Sequence, residues 1–170
     1  MNVIGIDLSL TSTGVASSLG WVDRIKPKST GLTRMREINV AISQYITAST
    51  SLVVIEAPAF SRGAQPGQHE RAGLWWMVVE AIDRRGIPWM SVSPTAVKKY
   101  ATGKGNAPKD EVLAAAIRKF PKIGVVGNDE SDALWLAAIG AYLCGSPMCV
   151  MPTTHCTGLA KLKLPEGMAP

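Results

Sequence analysis

Two apolar runs that each end in a carboxylate constrain this chain more than anything else in it. Val3-Ile4-Gly5-Ile6 leads into Asp7, and Leu52-Val53-Val54-Ile55 leads into Glu56. A short unbroken apolar run such as the second reads as a strand covered on both faces, the pattern of a sheet with helices on each side. Each acid then stands at the rim of a buried sheet. Further along, Asn128-Asp129-Glu130-Ser131-Asp132-Ala133-Leu134 opens a long apolar segment. Helical spacing places Asp129 and Asp132 on one face, about a turn apart, with Asn128 a natural cap.

Each acid has an ordinary explanation when taken singly. An Asp before the Ser/Thr-rich turn 8–14 can serve a local backbone hydrogen bond, and acids in a first helical turn complement the helix dipole. The combination is harder to explain that way. Gathered carboxylates repel one another unless cations neutralise them, and an all-oxygen donor set favours magnesium or manganese. A two-metal site for phosphodiester hydrolysis is the reading that uses all four acids.

The rest of the chain predicts an α/β domain. Residues 2–7, 13–18 and 20–26 read as three short strands joined by Gly-containing turns, an antiparallel ribbon. Leu32, Met35, Ile38, Ile42, Tyr45 and Ile46 recur at helical spacing over 31–48. After the Glu56 strand comes a Pro/Gly/Ser/Arg-rich loop over 57–68, then a helix over 69–85, a strand over 87–92 and a short helix near Pro94. Further helices are expected from about Pro108 and over about 129–144. The helix over 69–85 carries Ala72, Leu74, Trp75, Trp76, Met77, Val78, Val79 and Ile82, a wider apolar surface than one core stripe requires. A two-fold partner is the economical cover for the two adjacent tryptophans. Residues 146–170 have several prolines and lysines and no period, so they read as a loosely attached tail behind a domain of residues 1–145.

Composition fits one domain with an anionic partner. The 170 residues are 46% hydrophobic, enough for a sizeable core but too short for two full domains. The net charge of +5 suits nucleic acid. Its placement matters more, because Lys98, Lys99, Lys104 and Lys109 fall in one stretch with Gly103 and Gly105, a flexible cationic loop suited to phosphate. Cys144, Cys149 and Cys156 are an odd number at spacings that match no familiar zinc finger, even with His155 counted, so reduced thiols are expected. The amino terminus enters a strand without a signal-peptide pattern, and no apolar run reaches membrane-spanning length. An intracellular, cytoplasmic protein is the expectation, in the host cytoplasm if a phage encodes it.

These segments together resemble the RuvC Holliday junction resolvases. The resemblance rests on Gly5-Ile6-Asp7-Leu8-Ser9 with Thr13-Gly14, the strand ending in Glu56, Pro94-Thr95-Ala96-Val97-Lys98-Lys99 followed by Gly103-Lys104-Gly105 and Lys109, and Asp129-Glu130-Ser131-Asp132-Ala133. They occur in the family's order over roughly residues 2–143. The resemblance implies a ribonuclease H-like fold, with a mixed five-stranded sheet of three antiparallel strands then parallel strands, flanked by helices. It implies that Asp7, Glu56, Asp129 and Asp132 bind two magnesium or manganese ions per site, and that Lys98 and Lys109 approach the scissile phosphate. Lys99, Lys104, Phe60 and Arg62 are further candidates for DNA contact, with Phe60, four residues after Glu56, the candidate stacking aromatic. The implied activity is resolution of Holliday junctions by a homodimer, leaving 5′-phosphate and 3′-hydroxyl ends. Leu8 replaces the proline usual in cellular members, and with the unusual tail this is more similar to a phage-type relative.

Three other readings compete. A flap or replication-fork nuclease of the same fold would share the acids. A non-catalytic junction-binding module would not need all four. An actin-like or sugar-kinase-like nucleotide-binding domain shares Asp7-Leu8-Ser9 with Thr13-Gly14, but normally needs two related domains.

Overall fold

The computed structural model describes residues 1–58 and 66–168, and one five-stranded sheet organises them. Strands β1 (Asn2–Asp7), β2 (Thr13–Ser17) and β3 (Trp21–Ile25) form an antiparallel meander. Strand β4 (Thr50–Glu56) then pairs parallel with β1, and β5 (Trp89–Val92) pairs parallel with β4. The order is β3-β2-β1-β4-β5, so the first strand lies at the centre. This is the mixed sheet of three antiparallel strands then parallel strands that the resemblance implies.

Alternation along the central strands sends their apolar side chains into two cores. On one face Ile4, Ile6, Val53 and Ile55 meet Ile38 and Ile42 of helix α1 (Gly31–Tyr45) and Leu74, Val78 and Ile82 of helix α2 (Gln68–Asp83). On the other face Val3, Leu52 and Val54 join a core shared with α3 (Pro94–Thr102), α4 (Lys109–Lys119) and α5 (Asn128–Leu143). Helix α5 is the centre of that second layer. Its run from Ala133 to Ala141 is buried throughout, including Trp135, whose indole N–H donates to the Val112 carbonyl at 3.3 Å. A helix apolar on every side has to be enclosed on every side.

Three glycines set how deep α5 sits. A methyl group at Gly5 of β1 would fall onto the Ala133 carbonyl oxygen, and one at Gly14 of β2 onto the Asp129 carbonyl oxygen. From the helix side, a methyl at Gly140 would lie 2.6 Å from Val54 and 2.7 Å from Val3. The helix backbone thus rests directly on the sheet backbone, closer than any side chain would permit.

The tail differs from expectation. Helix α6 (Thr153–Cys156) and a 3-10 turn (Thr157–Leu159) follow α5 and contact α3. Leu159 is buried, which contributes about 2 kcal/mol relative to exposure. Met148, Met151, Leu162, Leu164 and Met168 pack against the same core, and His155 Nδ1 lies 2.9 Å from the Tyr100 carbonyl oxygen. The segment is seated on the domain instead of being loosely attached, because scattered apolar residues bury without needing a period. Cys144, Cys149 and Cys156 are free thiols. Among the described residues, no helix is long and apolar enough to cross a membrane.

Candidate active site

The four acids meet where the deep seat of α5 brings its first turn over the sheet. Asp7 ends β1 opposite Gly14 of β2, and Glu56 ends β4 one step past the Ile6–Ile55 pair, so the two acids are neighbours at the sheet's carboxyl edge. Counting by twos from Val3 and Val54 places both on the α5 face. Because Gly14 lies under the Asp129 carbonyl, the helix start is held directly beside Asp7. Asp129 and Asp132 follow from the first turn and the one after it.

Several contacts fix that helix start. Gly127, not Asn128, is the N-cap, with Asn128 already the first helical residue. The Gly127 N–H donates to Glu130 Oε2 at 2.5 Å, which holds the first turn without a capping side chain at 127. Glu130 is buried and pairs with Arg24 of β3 at 3.6 Å, a structural contact that the acids on either side of it do not share. On the opposite flank, the Ser12 hydroxyl donates to Asp129 Oδ2 at 2.5 Å. Neither Ser12 nor the glycine seam stands out in the sequence, where both merge into an ordinary turn-forming composition.

Electrostatics confirm that the acids share one environment. Burial, then Glu56, Asp132 and Asp129, push Asp7 up to about 8, while Lys109 pulls it down. Glu56 is pushed up to about 7, by burial and then by Asp132; a hydrogen bond with Asp7 and the charges of Lys109 and Lys98 oppose the rise. Burial raises Asp132 to about 6, against Lys109 and Lys98. Carboxyls driven this far up require positive charge nearby to ionise together. Among the described residues, no three or more acidic, histidine or cysteine side chains stand close enough together to hold a metal ion as they lie. The donor set itself fits hard divalent cations, since every ligand atom is a carboxylate oxygen.

The lysines separate into two groups. Lys98 of α3 and Lys109, the first residue of α4, both act on the acid cluster from across the site. Lys104 instead pairs with Glu111 at 3.3 Å, and the stem of Lys99 runs along Gly158 of the tail. Phe60 and Arg62 lie outside the described residues. The tryptophans of α2 also divide. Trp76 is 64% exposed, whereas Trp75 packs against the α1/α2 core and stands edge-on to Trp76 and Trp89, at 4.9 and 6.0 Å.

This arrangement has relatives. No protein-family model matches the chain. Among curated proteins, it is 30% identical over 168 residues to the crossover junction endodeoxyribonuclease RuvC of Paenarthrobacter aurescens, covering 87% of this chain and 85% of the relative. The chain belongs to the RuvC family. It is also 28% identical over 163 residues to RuvC of Rhodopirellula baltica, covering 86% of this chain and 89% of that one. Among solved structures, RuvC from Thermus thermophilus in complex with a Holliday junction substrate superposes with a TM-score of 0.68 at 21% identity, covering 89% of this chain and 99% of that one. At that identity the likeness speaks for the fold, the ribonuclease H-like fold of RuvC.

Proposed function

We propose that this RuvC-family chain is a metal-dependent endonuclease that cuts branched DNA, with Holliday junctions as its main substrate. One observation carries the reading: four half-buried carboxylates from three separate elements stand at one end of the sheet with two lysines. A structural role would not gather acids that raise one another's protonation so far, because the cluster weakens the metal-free fold.

Asp7, Glu56, Asp129 and Asp132 would hold two magnesium or manganese ions, which when bound supply charge neutralisation at the phosphate and an activated water. Asp7, on the most enclosed strand and beside all three other acids, is assigned the central ligand. Ser12 keeps one oxygen of Asp129 engaged and so fixes how the carboxylate presents the other. Lys98 and Lys109 face the same space and hold the phosphodiester by its non-bridging oxygens, where their charge counts more as negative charge develops. The products are a 5′-phosphate and a 3′-hydroxyl. Lys99, Lys104, Phe60 and Arg62 remain proposed contacts to DNA outside the scissile phosphate.

A homodimer is part of the reading. Trp76 presents a large apolar surface on α2 that the described residues leave mostly exposed, and a second copy would place two sites on opposed strands of a two-fold symmetric junction. Synthetic four-way, three-way, flap and linear duplexes, incubated with magnesium or manganese, test the proposal. Symmetric cuts in the four-way substrate are expected. Preferential cutting of flaps would reassign the substrate, and binding without cutting in any metal would remove the enzymatic reading.

A further inference from the structure

The Glu56–Ala57 peptide group is held at both of its polar ends, by two different elements. Its N–H, on Ala57, donates to the Val92 carbonyl of β5 at 2.8 Å. Its carbonyl, on Glu56, accepts the indole N–H of Trp75 from α2 at 3.0 Å. Pro58 follows at once and has no N–H to give the sheet, so this is the last peptide of β4 that main-chain pairing secures. We propose that Trp75 is a positioning residue for Glu56, fixing the strand end so that the carboxylate meets Asp7 and Asp132. This rests on the metal-nuclease reading of the acids.

The indole is itself braced. Trp76 and Trp89 both stand edge-on to it, and Trp89 is fixed by its own N–H, which donates to Asp83 Oδ1 at 3.2 Å. Trp75 therefore reaches the Glu56 carbonyl from within a packed aromatic cluster. The peptide plane fixes the backbone torsions on either side of it, and these set where the Glu56 side chain departs. Removing the N–H releases one end of that plane while leaving the acid in place.

The test compares Trp75→Phe with Trp89→Phe, which removes an indole N–H from the same aromatic cluster but one bonded to Asp83. Manganese affinity of the DNA-free protein is read from the electron paramagnetic resonance of free Mn²⁺. Single-turnover cleavage is read at saturating junction, and junction affinity in calcium. Trp75→Phe is expected to weaken manganese binding and slow turnover by roughly tenfold with junction affinity unchanged, as loss of a supporting partner does at metal sites. Trp89→Phe, which loosens the brace but leaves the Trp75 N–H in place, is expected to lose less manganese affinity than Trp75→Phe. If Trp75→Phe does not fold, benzothienylalanine at position 75 keeps the bicyclic shape without the N–H and takes its place. Wild-type manganese affinity in the position-75 variant, or an equal loss in Trp89→Phe, would overturn the inference alone. A wild-type protein that binds no manganese and cuts no junction would instead overturn the nuclease reading, and this inference with it.

Discussion

Ser12 and Asp129 are 117 residues apart in sequence, yet the hydroxyl of one lies 2.5 Å from a carboxylate oxygen of the other. The contact ties the turn after β1 to the first turn of α5, so that acids from the two ends of the chain keep one geometry. A hydrogen bond to a charged acceptor is worth about 1.5–3 kcal/mol. Ser12→Ala is therefore expected to slow single-turnover cleavage by roughly tenfold or more while junction binding stays at the wild-type level. Unchanged turnover would show that Asp129 needs no such restraint.

Asp7→Asn should abolish cleavage and leave binding of branched DNA nearly intact, because phosphate contacts by lysines carry the affinity. The same substitution removes a carboxyl that burial and its neighbours force to take up a proton on folding. The metal-free Asn variant is thus expected to melt at a higher temperature than wild type. Calorimetry without divalent ions checks this, and a lower melting temperature would contradict the crowding of the acids.

The raised acids also set a pH dependence. Asp7, Glu56 and Asp132 hold protons more tightly folded than unfolded, with folded values of about 8, 7 and 6. Their contribution to stability is full below their unfolded range near pH 4 and is lost as pH rises through the folded values. Metal-free protein should accordingly lose stability between about pH 5 and 8, and manganese should restore more of it at pH 8 than at pH 5. Denaturant melts across pH, with and without manganese, measure both slopes.

Lys98→Ala and Lys109→Ala distinguish positioning from catalysis. A lysine that only touches the DNA backbone weakens binding to every DNA shape and lowers the salt slope by about one counterion. One that also faces developing charge slows turnover at saturating DNA. The second outcome is expected for Lys109, whose charge acts on Asp7, Glu56 and Asp132 alike. Single-turnover rates across a salt series decide.

Gly14→Ala tests the seat of α5. The added methyl meets the Asp129 carbonyl, a backbone atom that cannot swing aside. A loss of about 1–3 kcal/mol in stability is expected from overpacking. Cleavage should suffer out of proportion, since the displaced helix carries Asp129 and Asp132. Wild-type activity in a folded Gly14→Ala protein would show that the acids tolerate the shift.

What the sequence made legible was local. The apolar runs ending in Asp7 and Glu56, and the helical stripe of α1, carry their own period, so these strands and this helix follow from nearby residues. The family resemblance then named the acids and the two lysines that the fold brings together. The glycine seam was not legible, because the meaning of Gly5 and Gly14 depends on a helix that begins more than a hundred residues later. Trp75 read as part of an outward face because periodicity gives direction but not neighbours, and its partner is a main-chain oxygen. The tail read as loose for a related reason. Leu159 and the methionines around it bury one at a time between prolines and lysines, with no repeat to mark them.

The seam of Gly5, Gly14 and Gly140 has a consequence for how this protein fails. Half of the acid set rides on the helix that also fills the main core, so burial depth and active-site alignment are one coordinate. A core substitution that lifts α5 by a fraction of an ångström can leave a folded, soluble protein whose acids no longer face one another. If the four acids carry the cleavage, damage to the interior silences the chain before it unfolds it.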